Sequence, residues 1–112
     1  GYSLGGLFAL YSGYKTDIFK RIASVSGSMW YPDFAEYVKK NEISKNIDKI
    51  YFSLGNKEKN SKIEILKTVE DKTKEIYYYL SNNINTIYEE NEGNHFQDDI
   101  LRIAKGVKCI LL

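Results

Sequence analysis

Gly1-Tyr2-Ser3-Leu4-Gly5-Gly6 opens the chain, and the apolar run Leu7-Phe8-Ala9-Leu10-Tyr11 follows it. The first five residues read G-x-S-x-G, the pattern of a serine carried on a sharp strand-to-helix turn, the nucleophile elbow. A serine at such a turn has strained backbone dihedrals and close neighbours. Gly1 and Gly5 flank it without Cβ atoms, which lets the helix pass close to the strand. Gly6 adds room for tight helix packing. The competing reading is a glycine-rich turn ahead of a buried helix, and the pentapeptide alone does not separate the two. An elbow also follows a central strand. The expectation is therefore that residues 1–112 are the C-terminal part of a single larger domain, starting at the elbow, with the upstream strands missing.

The composition sets wide bounds. A chain of 112 residues fits one domain and buries about two-thirds of its unfolded surface. Hydrophobic residues at 43% and charged residues at 28% are ordinary for a globular protein. A net charge of +1 leaves no electrostatic footprint for nucleic acid. Cys109 is the single cysteine, so no internal disulfide forms, and it reads as a small core hydrophobe. No run approaches the roughly 18 apolar residues of a membrane span, so no membrane partner is expected. Cytoplasmic residence is the default expectation.

Along the chain, Leu4 to about Ser12 reads as a buried helix, apolar on nearly every side, with Gly13 as its C-terminal cap. Residues 21–26 (RIASVS) are short, β-branched and bounded by glycine, as in a buried parallel strand. The loop Gly27-Ser28-Met29-Trp30-Tyr31 follows at the strand's C-terminal end, where open α/β sheets bind ligands. Tyr2, Trp30 and Tyr31 are the candidate pocket walls, although Trp30 as a core plug fits the pattern equally well. Pro32 opens a short helix over 33–40. Residues 49–54 (KIYFSL) form a second strand. Ser61 and Glu64 make a capping box for a helix running from Lys62 to about Ser81. Residues 85–90 (NTIYEE) are a third strand, more polar and so nearer the edge. Asp98 and Asp99 begin a last helix, with Ile100, Ile103, Ala104, Val107 and Ile110 as its buried stripe. Strict alternation of helix and strand implies an α/β fold with three parallel strands covered by helices.

The same order places a reactive constellation. A serine hydroxyl needs a base within hydrogen-bond reach, and the base needs an orienting acid. His95 is the only histidine and lies in the loop between the third strand and the last helix. Glu58 lies three residues beyond Gly55, which ends the second strand. It is the chosen acid, against the alternatives of a solvated charge among lysines and of Glu92 as the orienter. The chain order Ser3, Glu58, His95 is the Ser…Asp/Glu…His order of α/β-hydrolases. The backbone N–H of Leu4, the residue after the nucleophile, is the expected oxyanion donor. One His and one Cys, far apart, make no metal ligand set, and no cofactor is expected.

Four blocks taken together resemble one family. Residues 1–10 (GYSLGGLFAL), 26–31 (SGSMWY), 53–58 (SLGNKE) and 92–96 (EGNHF) look like the putative esterase family, which includes esterase D and the enterochelin (siderophore) esterases. The likeness spans nearly the whole chain. It implies a cofactor-free serine hydrolase acting on small carboxylic esters or thioesters, with Ser3 as nucleophile, His95 as base and Glu58 as acid. The Ser26-x-Ser28-x-Trp30 block is similar to the loop that borders the active site in the siderophore branch. Arg21 and Arg102 are the only arginines, which argues against an anionic ferric substrate. The alternatives are an acyltransferase or peptidase on the same triad, or an inactive fragment acting in assembly. The apolar strand 21–26, stripped of an upstream neighbour, is expected to leave an open edge through which copies self-associate.

Overall fold

The computed structural model describes residues 1–112. Its elements are α1 (Leu4–Lys15), β1 (Arg21–Val25), α2 (Phe34–Lys40), β2 (Lys49–Gly55), a 3-10 turn (Glu64–Thr68), α3 (Val69–Leu80), β3 (Asn85–Asn91) and α4 (Asp99–Leu111). The three strands form one parallel sheet in the order β1-β2-β3. Helices cover it, so the fold is α/β.

The two faces of the sheet follow from the period-2 alternation of side chains. Ile22, Ile50 and Phe52 point to one face, where Leu10, Phe34, Val38, Ile76 and Leu80 from α1, α2 and α3 complete the main core. Ala23, Val25 and Tyr51 point to the other face, against Cys109 and Ile110 of α4. β2 lies between two parallel neighbours and is buried almost throughout, which is why it is the least polar strand. β3 has a neighbour on one side only and is half-buried, as its polar sequence implies.

α4 is tied down at its C-terminal end. Lys49 Nζ donates to the Cys109 carbonyl at 2.6 Å, and Arg21 Nη1 donates to the Ile110 carbonyl at 2.7 Å. These cations satisfy carbonyls that a helix end leaves unpaired, and they sit at the negative end of its dipole. Gly106 lets the helix lie close on the sheet. A Cβ there would come within 3.0 Å of Val25 and 3.2 Å of Tyr51.

Several local expectations are corrected. The buried positions of α4 are Arg102 and Gly106, whereas Ile100, Ile103 and Val107 are exposed. The helix is turned so that Arg102 and Gly106 face the sheet, and of the expected aliphatic stripe only Ile110 packs against it. α1 runs on to Lys15, with Gly13 inside it rather than at its end. Its outer face leaves Leu4 and Phe8 exposed, so it is not buried on every side. The third helix begins as the 3-10 turn and becomes α-helical only at Val69. Ser61 Oγ there accepts from the Ile63 N–H at 3.1 Å, a local turn and not the expected capping box.

Candidate active site

The C-terminal ends of all three strands converge on one cleft. Tyr2 bridges Val25 in parallel, so the segment before α1 runs beside the end of β1. The Ser3 N–H donates to the Val25 carbonyl at 3.0 Å, and the Ser28 N–H donates to the Ser3 carbonyl at 3.1 Å. Held from both sides, Ser3 adopts φ 61 and ψ −124. A non-glycine residue in this region is strained, by about 1–3 kcal/mol, and persists only where its surroundings over-determine it. Gly1 is required here, because a Cβ on it would fall 2.0 Å from the Gly5 carbonyl oxygen. Gly6 is required too, because a Cβ on it would fall 2.9 Å from both the Gly27 Cα and Ser24 Oγ. Gly5, by contrast, faces open space. The close approach is at Gly1 and Gly6, and the expectation for Gly5 is corrected.

Glu58 is built from β2. Its N–H donates to the Gly55 carbonyl at 3.1 Å, and its Oε2 accepts the Gly55 N–H at 2.7 Å. This double contact folds the carboxylate back over the strand end. The loop after β3 is laced to it: Asn56 N–H to Asn91 O at 2.7 Å, Lys57 N–H to Gly93 O at 3.0 Å, and Gly93 N–H to Asn56 Oδ1 at 3.0 Å. The lacing continues the β2–β3 ladder past the strands. It sets His95 against Glu58.

The side chains meet in a line. His95 Nδ1 lies 2.6 Å from Glu58 Oε1, and His95 Nε2 lies 3.0 Å from Ser3 Oγ. The imidazole is stacked on the Tyr2 ring at 5.3 Å between centroids, and Phe96 meets it edge-on at 4.9 Å. The Tyr2 hydroxyl donates to the His95 carbonyl. Burial pushes the Glu58 carboxyl up, but its hydrogen bonds to His95 and the Gly55 N–H outweigh this. They hold it below its ordinary value. The Leu4 N–H finds no backbone acceptor in the chain, as befits the first turn of a helix, and Leu4 lines the same cleft.

The cleft has a volume of about 510 Å³, with Ser3, Leu4, Glu58, His95 and Trp30 among its walls. Of the three aromatic residues expected to wall a pocket, Trp30 does so. Tyr2 packs behind His95 instead. Tyr31 lies outside, in a neighbouring apolar groove with Phe8, Tyr11 and Phe34. Glu92, the competing acid, contributes only its backbone carbonyl, which accepts from Arg102. No three His, Cys, Asp or Glu side chains converge on a point that could hold a metal ion. No helix is long and apolar enough to cross a membrane.

Arg102 was not legible as a site residue. It is 1% exposed, yet its Nη1 lies 3.4 Å from Glu58 Oε2 and 3.3 Å from Ser26 Oγ, and its Nη2 lies 3.1 Å from the Glu92 carbonyl. The sequence signal is slight: one arginine, in a lysine-rich chain, in the first turn and a half of a helix that follows the site loop.

Comparison with known proteins gives the family of this fold. Residues 1–103 match the family described as "Putative esterase". The chain belongs to this family. It is similar to "Uncharacterized protein YbbA" of Bacillus subtilis (strain 168), with 32% identity over 81 residues. That match takes in 71% of this chain and 32% of the relative, so the chain spans about a third of the length of the curated relative it matches. No solved structure matches.

Proposed function

We propose that the protein is a serine esterase of the α/β-hydrolase class, cleaving small carboxylic esters or thioesters through Ser3, His95 and Glu58. One observation carries this reading: the unbroken line Ser3 Oγ, His95 Nε2, His95 Nδ1, Glu58 Oε1, with contacts of 3.0 and 2.6 Å. Ser3 Oγ attacks the ester carbonyl while His95 Nε2 takes its proton. Glu58, ionised and buried, fixes the ring by accepting the Nδ1–H and stabilises the imidazolium that forms. His95 then gives the proton to the leaving alcohol or thiol, and an acyl-Ser3 ester remains. Water, deprotonated by the same nitrogen, attacks the acyl ester and releases the acid and free Ser3.

The Leu4 N–H, without a backbone acceptor in the chain, would be the donor to the oxyanion. Such a donor contributes roughly 3–4 kcal/mol in the transition state. The strained dihedrals of Ser3 support the elbow reading, since strain of this kind gathers at functional positions.

A fluorophosphonate probe tests the proposal on the full-length protein. It should attach covalently to Ser3, read by peptide mass, and fail to label Ser3→Ala or His95→Ala. Labelling of Ser3→Ala equal to the wild type, at another residue, would remove Ser3 from the nucleophile's role.

A further inference from the structure

Arg102 is the most deeply buried charge in the molecule and has no part in the reaction as described above. It projects from the sheet-facing side of α4, where an aliphatic residue would serve packing better. Its guanidinium spans three segments. Nη1 reaches Ser26 at the end of β1 and Glu58 after β2, and Nη2 reaches the Glu92 carbonyl in the loop that carries His95. Those are three of the four segments that build the site. The fork also fits a space cleared for it, because a Cβ on Gly55 would lie 2.9 Å from Nη2.

The carboxylate of Glu58 is divided by these contacts. Oε2 takes the Gly55 N–H at 2.7 Å and faces Arg102 at 3.4 Å, which leaves Oε1 to His95 at 2.6 Å. With Oε2 so occupied, the carboxylate does not swing round to offer the wrong oxygen. The guanidinium also offsets the Glu58 charge in a place that water does not reach, where an unpaired carboxylate is costly. We propose that Arg102 is a positioning residue for the Ser3–His95–Glu58 line: it fixes the Glu58 carboxylate on His95 Nδ1 and sets the charge against which the line binds its proton. This rests on the esterase reading given above.

The pH profile separates this role from simple packing. Taking away one positive charge strengthens the proton affinity of the Glu58–His95 pair, so the acid limb of kcat/KM must move up. The other ionisable groups around the pair are Tyr2, stacked on His95, Tyr88 of β3, which feels the Glu58 charge, Asp99 from the start of α4, and Lys57, which lines the cleft. None of them is altered by the substitutions.

The experiment uses the full-length protein and p-nitrophenyl acetate. Arg102→Met should lower kcat about 10- to 100-fold with little change in KM, and should move the acid limb up by about one pH unit. Arg102→Lys keeps the charge and loses the fork. It should leave the limb in place and recover most of kcat. In a Glu58→Gln background, Arg102→Met should cost nothing further, because it acts through Glu58. Arg102→Met with wild-type kcat and an unmoved limb overturns the proposal. So does a loss in the Glu58→Gln background, and that comparison stands even if Arg102→Met alone fails to fold. A Ser3→Ala protein that keeps full turnover is a different failure, since it removes the esterase reading itself.

Discussion

Glu58 Oε1 and Ser3 Oγ approach opposite nitrogens of the same imidazole, at 2.6 Å from Nδ1 and 3.0 Å from Nε2 of His95. The order of protons along this line is then fixed. Nδ1 carries the hydrogen that an ionised carboxylate accepts, and Nε2 is left with the lone pair facing the serine hydroxyl. Removing either end of the transfer itself should be far worse than weakening the orienter. Ser3→Ala and His95→Ala should each lower kcat for an aryl ester by roughly 10⁴-fold or more, and Glu58→Gln should lower it by roughly 10²-fold less than either. Steady-state kinetics on the three full-length variants check this. A Glu58→Gln enzyme as impaired as His95→Ala would mean that Glu58 does more than orient the ring.

How much of this is legible in the sequence depends on the range of the interaction. The strands are, because the β-branched runs at 21–26 and 49–54 are short, bounded by glycine and buried on both faces. So is the gathering of Glu58 and His95, because each follows a strand end and the ends of parallel strands gather on one edge of the sheet; Ser3 is legible from the G-x-S-x-G turn that leads into α1. The orientation of α4 is not. Its aliphatic period selects the face with Ile100, Ile103 and Val107, whereas Arg102 and Gly106 face the sheet. Burial of Arg102 is decided by partners 10 to 76 residues away, namely the Glu92 carbonyl, Glu58 and Ser26. Hydrophobic periodicity carries no record of such partners. Tyr31 is a similar case: its ring lies 6.2 Å from that of Trp30, yet it faces the groove of Phe8, Tyr11 and Phe34 rather than the cleft of Ser3, and adjacency in sequence does not record that difference.

The depressed carboxyl of Glu58 makes stability depend on pH with a definite sign. Its folded value lies below the ordinary 4.5 of the unfolded chain. Between the two, the unfolded state binds more protons than the folded one. The contribution is therefore complete above the unfolded value and is lost as pH falls through the lower, folded value. Urea unfolding midpoints of the wild type should drop through this acid window. Glu58→Gln has no such proton to bind, and its curve should be the shallower of the two. Parallel curves would show that the carboxylate is no better stabilised in the fold than out of it.

The glycines around the turn make a sharper test of packing. Gly5 and Gly6 are neighbours in α1, and neither has a positive φ. Alanine at Gly5 meets nothing within 4 Å, so only helix propensity operates, a gain of up to about 1 kcal/mol. Alanine at Gly6 would sit 2.9 Å from both the Gly27 Cα and Ser24 Oγ, an overpacking that costs about 1–3 kcal/mol. Half of that clash is with a side chain that can be trimmed. Ser24 Oγ donates to the Gly6 carbonyl at 2.9 Å in a fully buried site, so Ser24→Ala alone loses a hydrogen bond, about 1 kcal/mol. In the double variant Gly6→Ala/Ser24→Ala, the methyl at position 6 no longer meets the hydroxyl, and the contacts with the Gly27 Cα and, at 3.2 Å, the Gly1 carbonyl oxygen remain. The two costs should therefore sum to more than the double variant shows. Thermal or urea unfolding of the four proteins measures the difference. Strict additivity would mean that the helix moves bodily away from β1 to make room, and that Ser24 has no share in setting the distance at which α1 crosses the strand.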